Sequence, residues 1–155
     1  KPIDLLKEEL EAQGFEVEIH ESPMDKIANL PPEEQMKSIM NAYAAKRPIK
    51  ELTDKYDLII NVANVKMGEV VQRMTWNALK GTPDIPFYVH EIPTIFVSVN
   101  YPFHLADVPQ VKTYINAYDG NKGTIEVLVE KMMGKSEFKG IDPVEAYCGF
   151  VDTRI

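Results

Sequence analysis

The sequence contains one cysteine and three histidines, and this shortage excludes several kinds of site. Because Cys148 stands alone, an internal disulfide and a cysteine-based zinc site are both excluded. The histidines His20, His90 and His104 are far apart in the sequence and do not have the spacing of metal ligands. We therefore expect no metal site in this chain.

The sequence also lacks an excess of basic residues and a long apolar run. It has 17 Lys and Arg residues against 24 Asp and Glu residues, which gives a net charge of −7. Nucleic acids and anionic membrane surfaces are bound by clustered basic residues, so we expect neither as a partner. No apolar run approaches the roughly 20 residues that a membrane-spanning helix needs.

The chain begins at Lys1 rather than at a methionine, and it carries no recognisable targeting segment. We therefore expect it to be a cut or processed piece of a longer protein. The sequence does not distinguish a cytoplasmic protein from a secreted one.

The most apolar part of the chain is the stretch Ile92–Tyr118. Two runs within it, Thr94–Val99 and Val111–Ala117, are rich in β-branched and aromatic residues, which favour strands. The first run is apolar on both faces, which is typical of a parallel strand covered by helices on both sides. This stretch therefore predicts the centre of a parallel sheet.

Strand and helix patterns alternate along the chain, which predicts βαβ units. The predicted fold class is α/β: a three-layer αβα sandwich with a mostly parallel, flavodoxin-like sheet, as one domain over residues 1–155 with an extended tail over 135–155. Strict alternation over 15–20 indicates an edge strand, from which we infer a further first strand upstream of Lys1. The other predicted elements are helices over 2–13, 31–47, 49–56, 69–79 and 124–133, a strand over 57–62 and a long loop over 81–93.

Polar and aromatic residues follow the ends of two predicted strands. Asn64 comes after the strand over 57–62, and Asn100, Tyr101 and His104 come after the run that ends at Val99. Open α/β sheets bind ligands beyond the carboxyl ends of their strands, so these residues are candidates for a cleft or a domain interface. Each also has a structural alternative: asparagine is an ordinary turn residue, and for His104 we favour a turn histidine that bonds a backbone carbonyl.

Three further charged residues are candidates for the same surface. Glu69 and Arg73 are one helical turn apart, so a surface ion pair worth less than about 1 kcal/mol is the default interpretation. A contact between Arg73 and a substrate or a partner domain is the alternative. Asp119 precedes the last predicted helix, and N-capping of that helix is the favoured role.

Four short segments occur in an order and spacing that resemble a known family. They are Asn61-Val62-Ala63-Asn64, the run from Ile92 to Pro102, the run from Lys112 to Tyr118, and Gly140-Ile141-Asp142-Pro143-Val144. The resemblance that they carry extends over nearly the whole chain. They resemble the C-terminal α/β sandwich domain of glycoside hydrolase family 3, in particular its bacterial β-N-acetylhexosaminidase-like members.

The resemblance implies that the catalytic residues lie elsewhere. In that family an N-terminal (β/α)8 barrel carries the nucleophilic aspartate, and 155 residues without an eightfold pattern do not contain such a barrel. In the β-glucosidase branch the second domain can supply an acid/base glutamate. Glu69 lacks the glycine that follows that glutamate and the aspartate that precedes the arginine, so the role is not transferred to it.

The function implied by the resemblance is that of a non-catalytic domain that braces the barrel and walls the sugar cleft. Its partners would be the barrel domain of the same protein and a carbohydrate substrate, with no catalytic residue and no cofactor in this chain. A barrel-facing surface would be apolar, and a homodimer of the isolated domain could form through it.

Two other interpretations remain open. One is a free-standing flavodoxin-like module that binds a small ligand at the strand ends, although the chain has neither a Gly-x-Gly-x-x-Gly sequence nor a P-loop, which disfavours a nucleotide or a flavin. The other is a response-regulator-like receiver, which needs an acidic cluster after its first strand, and that cluster is absent from this sequence.

Overall fold

The computed structural model describes residues 1–21, 23–44, 49–65, 88–108 and 110–147, which fall into two compact units. The described part of the first unit comprises residues 1–19, 60–65, 94–108 and 110–147. The described part of the second comprises residues 20–21, 23–44, 49–59 and 88–93. The single domain over residues 1–155 stays a prediction.

Within the residues that the structure describes, three parallel strands form the sheet. They are β1 (Ile59–Ala63), β2 (Thr94–Ser98) and β3 (Thr113–Asn116), in the spatial order β1-β2-β3. β2 pairs with β3 in parallel, with Ile95 opposite Thr113 and Ser98 opposite Asn116. β2 is the most deeply buried of the three, in agreement with a run that is apolar on both faces.

Two helices of the first unit, α1 (Pro2–Ala12) and α5 (Lys122–Met132), pack against each other and against the sheet. Each has an apolar stripe at helical spacing, so one face of each helix is buried. The buried core they share with β2 and the residue that follows it consists of Leu6, Leu10, Val97, Val99, Ile125, Leu128 and Val129. The prediction of an α/β sandwich with a parallel sheet is therefore confirmed.

The edge strand predicted over residues 15–20 is wrong, because these residues have neither helical nor strand structure. α1 ends before Gly14, whose φ of +94° is a conformation that glycine adopts without strain. Phe15 then remains 46% exposed, and only Val17 of the alternating residues packs against the core. The further strand upstream of Lys1 stays a prediction, now without the edge strand on which it rested.

The described part of the second unit contains three helices: α2 (Pro23–Ala28), α3 (Pro32–Ala44) and α4 (Ile49–Thr53). α2 lies in a stretch for which the sequence predicted neither a helix nor a strand. The side chain of Gln35 on α3 donates a hydrogen bond at 2.8 Å to the carbonyl of Leu30, which lies in the turn between α2 and α3. α3 begins near the predicted position, and the end of the predicted helix over 31–47 lies outside the described residues.

Other predictions also lie outside the part of the chain that the structure describes. They are the helix over 69–79, most of the loop over 81–93 and the end of the tail. Residues 135–147 of the tail have neither helix nor strand. Among the described helices, none has the length and apolar character to cross a lipid bilayer.

Candidate functional site

The carboxyl ends of the three parallel strands bring polar side chains to one edge of the sheet. The Asn100 side-chain amide donates a hydrogen bond to the Asn64 side-chain oxygen, so residues 36 positions apart in sequence are in contact. Asn64 is exposed and Asn100 is partly exposed. An amide both donates and accepts hydrogen bonds, so this pair suits a ligand that is rich in hydroxyl groups.

A buried hydrogen-bonded pair, Ser98 and His104, fixes the loop that follows β2. The Ser98 hydroxyl donates to the Tyr101 carbonyl and lies 2.9 Å from His104 Nδ1. Because the hydroxyl has only one proton, Nδ1 must carry the proton of the second bond. His104 therefore supports the backbone carbonyl of Tyr101 through Ser98.

His104 lies in a short 3-10 helix, His104–Ala106, and is fully buried. Its ring contacts that of Tyr101, with the centroids 5.0 Å apart, and the Tyr101 ring meets Phe103 edge-on at 5.3 Å. The structure thus places His104 beneath the strand-end loop, while Tyr101 remains partly exposed. A buried imidazole in this position orders the loop.

Tyr114 of β3 lies under the same edge of the sheet. Its ring stacks on Phe96 of β2 at a centroid distance of 5.6 Å, and its hydroxyl donates to the Asn116 side-chain oxygen at 2.9 Å. Burial raises the pKa of Tyr114 to about 12. The phenol is therefore neutral at ordinary pH and serves as a hydrogen-bond donor.

A second polar cluster lies beyond β3, where the tail meets the sheet. The Asp142 carboxylate accepts hydrogen bonds from the Tyr118 hydroxyl, from the Asn116 side-chain amide at 3.2 Å and from the Val144 N–H at 3.1 Å. The same Asn116 amide also donates to the Pro102 carbonyl at 3.2 Å. Asp142 thereby connects the tail to β3 and to the loop after β2. We call Asn116, Tyr118 and Asp142 the tail anchor.

Tyr118 of the tail anchor has a left-handed backbone conformation, with φ at 60°. This conformation costs a non-glycine residue on the order of 1 kcal/mol or more, so the surrounding contacts must hold it in place. Partial burial and the hydrogen bond to the Asp142 carboxylate raise the pKa of Tyr118 to about 12. The phenol therefore keeps its proton for Asp142 throughout the neutral range.

The prediction that Asp119 caps the last helix is wrong, because Asn121 occupies the N-cap position of α5. The Asn121 side-chain oxygen accepts a hydrogen bond from the Thr124 N–H at 2.9 Å. Asp119 accepts from the Asn121 N–H at 3.1 Å and from the Asn121 side chain. Asp119, two residues upstream, therefore orients the Asn121 side-chain amide that caps α5.

The structure describes some predicted site residues and not others. Asn64, Asn100, Tyr101, His104 and Asp119 are described, and the first two are in direct contact. Glu69 and Arg73 lie outside the described residues. Within the described ranges, no group of three His, Cys, Asp or Glu side chains is placed to hold a metal ion.

Sequence reasoning selected His104 as a candidate but not its partner Ser98, and it did not select the tail anchor. A signal for the tail anchor was present, because Asn116, Tyr118 and Asp142 all lie in segments that carry the family resemblance. Those segments were used for recognition, and their individual side chains were not assigned roles. Ser98 lies inside a strand pattern, where its hydroxyl gave no indication of a partner.

The chain is similar to parts of considerably longer proteins. It is 39% identical over 110 residues, which are 70% of this chain and 19% of the relative, to the beta-N-acetylglucosaminidase/beta-glucosidase of Cellulomonas fimi. The solved structure of beta-glucoside phosphorylase BglX matches 99% of this chain and 24% of its own length, at 34% identity and a TM-score of 0.70. The structure of BglX bound to 2FGlc matches 96% of this chain and 23% of its own length, at 33% identity and a TM-score of 0.65.

No family model matches the sequence. The chain spans only about a fifth to a quarter of the length of these relatives. Identity of 34% over 99% of the chain, together with the shared architecture, confirms the resemblance carried by the four segments. The chain belongs to glycoside hydrolase family 3 and corresponds to the C-terminal α/β sandwich domain of that family.

Proposed function

We propose that this chain is the non-catalytic second domain of a glycoside hydrolase family 3 enzyme. In that enzyme it walls one side of the sugar cleft and braces a catalytic (β/α)8 barrel. The observation that carries the proposal is the match of nearly the whole chain to about a quarter of a longer enzyme named for its action on beta-glucosides. A piece of 155 residues with its own sheet and core has the size of one domain of such an enzyme.

The cleft wall in this proposal is the carboxyl edge of the sheet, with the Asn64–Asn100 pair and the Tyr101 ring. The amides offer donors and acceptors to sugar hydroxyls, and an aromatic ring offers an apolar face to the C–H groups of a sugar. The Ser98–His104 pair and the tail anchor hold the intervening loop in place, so the wall is formed before a ligand arrives.

The substrate class in this proposal is a β-linked N-acetylglucosaminide. The C. fimi relative is named for action on β-N-acetylglucosaminides and β-glucosides, and the four segments resemble the hexosaminidase-like branch. A β-glucoside is the alternative substrate. The relevant assay follows the release of a chromophore from each of the two glycosides by the protein with its native flanking sequence restored.

Phosphorolysis is a second candidate reaction, because BglX is named a phosphorylase. Water and inorganic phosphate would then compete as acceptors for the same sugar. Each assay is therefore run with and without inorganic phosphate, and the product is identified as free sugar or sugar phosphate. Free sugar at an unchanged rate in phosphate supports hydrolysis, and a sugar phosphate supports phosphorolysis. No turnover of either glycoside under either condition refutes the proposal.

The role of the cleft wall is tested by substitution of Asn100 in the longer protein. Loss of one hydrogen bond to the sugar is expected to lower kcat/KM about tenfold, since about 1.4 kcal/mol corresponds to a factor of ten. Asn100→Ala removes the amide, and Asn100→Asp removes the donor while it keeps the shape. An unchanged kcat/KM for both variants, with an unchanged thermal midpoint, contradicts a sugar contact at this position.

A further inference from the structure

Two large apolar side chains of the tail point into solvent. Ile141 is 92% exposed and Phe138 is 57% exposed. They are three residues apart in the last part of the chain that the structure describes. Single exposed apolar residues are common, but an isoleucine with almost its whole surface in water gains nothing from the fold that carries it.

The segment that carries these side chains is fastened at both ends. At one end the Lys131 ammonium donates to the Glu137 carbonyl and lies 5.7 Å from the centre of the Phe138 ring. At the other end Asp142 is held by the tail anchor. The Ile141 side chain is therefore exposed although the backbone that carries it is held in place. Its neighbour in the sequence is Asp142, whose carboxylate accepts three hydrogen bonds.

The conformation of Tyr118 indicates that this fastening is specific. A left-handed backbone at a tyrosine, with φ at 60°, persists only where the surrounding contacts over-determine it. The hydrogen bond from the Tyr118 hydroxyl to Asp142 is such a contact, and it fixes the tail relative to β3. A strained residue that positions an otherwise exposed segment suggests that the position of the segment matters.

We propose that Ile141 and Phe138 are the contact by which this domain docks onto the (β/α)8 barrel of the longer protein. This inference rests on the proposed function, and it names the surface that performs the bracing. The relatives are about four times as long as this chain, so most of each such protein is available to cover the pair. An anchor that is already ordered avoids the entropy cost of fixing a loop on docking.

The size of the surface favours a tethered domain over a second copy of this chain. A large aromatic side chain buries about 150–250 Å², so this pair supplies less than about 500 Å². A stable complex between separate proteins needs about 800 Å² on each partner. A covalent link raises the effective concentration of the partner to roughly millimolar, which makes a small apolar contact sufficient.

The test is the accessibility of a thiol at position 141 to a maleimide reagent. The variant I141C is made in a background with Cys148→Ser, once in the 155-residue chain and once in the protein with its native flanking sequence. The matched control is V127C, which replaces an apolar residue of α5 that is 47% exposed. Labelling rates are measured at several protein concentrations.

Docking onto the barrel predicts that I141C labels at least tenfold more slowly in the longer protein than in the short chain, while V127C changes less than threefold. Equal rates for I141C in both proteins overturn the inference, even if the longer protein is an active glycosidase. If I141C is protected from labelling in a longer protein that turns over no glycoside, the result supports the docking surface and refutes the proposed function. Protection in the short chain that increases with protein concentration assigns the surface to a second copy, which contradicts the inference.

A second pair of variants tests the contact through stability. I141D in the longer protein is expected to lower the thermal midpoint of this domain by several degrees, while I141L leaves it within about 1 °C. In the short chain both variants are expected to stay within 1 °C of the parent, since Ile141 is 92% exposed there. An unchanged midpoint for I141D in the longer protein overturns the inference.

Discussion

Replacement of Asp142 by asparagine is the most informative perturbation of the tail anchor. The carboxylate accepts hydrogen bonds from the Tyr118 hydroxyl, the Asn116 amide and the Val144 N–H. Asparagine keeps the shape, but it replaces one acceptor oxygen with an NH2 group that cannot accept. In one orientation its NH2 group faces the NH2 group of Asn116, and both are donors. In the flipped orientation its NH2 group faces the Tyr118 hydroxyl and the Val144 N–H, which are donors as well.

The expected cost is about 1–2 kcal/mol. Hydrogen bonds to a charged group contribute about 1.5–3 kcal/mol each where they are buried, and partial solvent exposure at this site reduces the contribution of each bond to below 1 kcal/mol. One or two bonds are lost or changed from charged to neutral. For a chain of this size, such a loss lowers the thermal midpoint by about 3–6 °C.

The measurement is chemical or thermal unfolding of D142N beside E137Q, a matched control. Both substitutions remove one negative charge from the tail, but the Glu137 carboxylate is 81% exposed and makes only a surface ion pair with Lys139 at 3.4 Å. E137Q is therefore expected to change the free energy of unfolding by less than about 0.5 kcal/mol. A D142N variant that unfolds like E137Q refutes the role given to the tail anchor.

An ultraviolet titration of the phenols gives an independent test of the same variant. The pKa of Tyr118 is raised to about 12 by partial burial and then by the Asp142 hydrogen bond and charge. D142N removes the charge and keeps the partial burial, so the pKa of Tyr118 should fall towards 10 without reaching it. An unchanged high-pH titration in D142N contradicts the contact between Tyr118 and Asp142.

Three further predictions concern the interior of the first unit. Ser98→Ala leaves His104 Nδ1 and the Tyr101 carbonyl without their shared hydroxyl and should lower the free energy of unfolding by about 2–3 kcal/mol in denaturant titration; a loss below 0.5 kcal/mol contradicts the buried pair. Gly120→Ala places a Cβ 2.6 Å from a side-chain carbon of Pro2 and should cost about 1–3 kcal/mol, whereas Gly140→Ala, with no atom within 4 Å, should cost less than about 0.5 kcal/mol; equal costs contradict the close contact. Burial raises the pKa of Tyr114 to about 12. The neutral phenol therefore contributes fully to the free energy of unfolding below pH 10, and this contribution is lost as the pH rises through 12. Tyr114→Phe should lessen the fall in the free energy of unfolding between those pH values.

The elements that sequence patterns predicted well are rich in apolar residues, which form either a continuous run or a stripe at helical spacing. β2 and α5 meet this condition, because one is a continuous apolar run and the other has its apolar residues Ile125, Leu128 and Val129 on a buried face. Residues 15–20 alternate as a strand does, but alternation alone does not supply a pairing partner, and only one side chain reaches the core. The six residues of α2 are too few for periodicity to distinguish them from a loop.

The candidate site was predictable where it depended on topology. Asn64 and Asn100 come together because parallel strands end at the same edge of a sheet, which the sequence pattern indicated. The contact of Asp142 with Asn116 spans 26 residues and depends on the path of a tail without regular structure. No periodic pattern encodes that path. The cap at Asn121 was assigned two residues too early because Asp and Asn are both good capping residues.

The turnover of a chromogenic β-N-acetylglucosaminide by two lengths of this protein decides most directly whether the catalytic groups lie outside this chain. The 155-residue chain and the protein with its native flanking sequence are assayed side by side, at equal concentration and with folding checked by circular dichroism. We expect turnover by the longer protein and none by the short chain, because the catalytic groups are assigned to the barrel. Turnover by the short chain at a rate comparable to that of the longer protein would contradict the assignment of catalysis to the barrel.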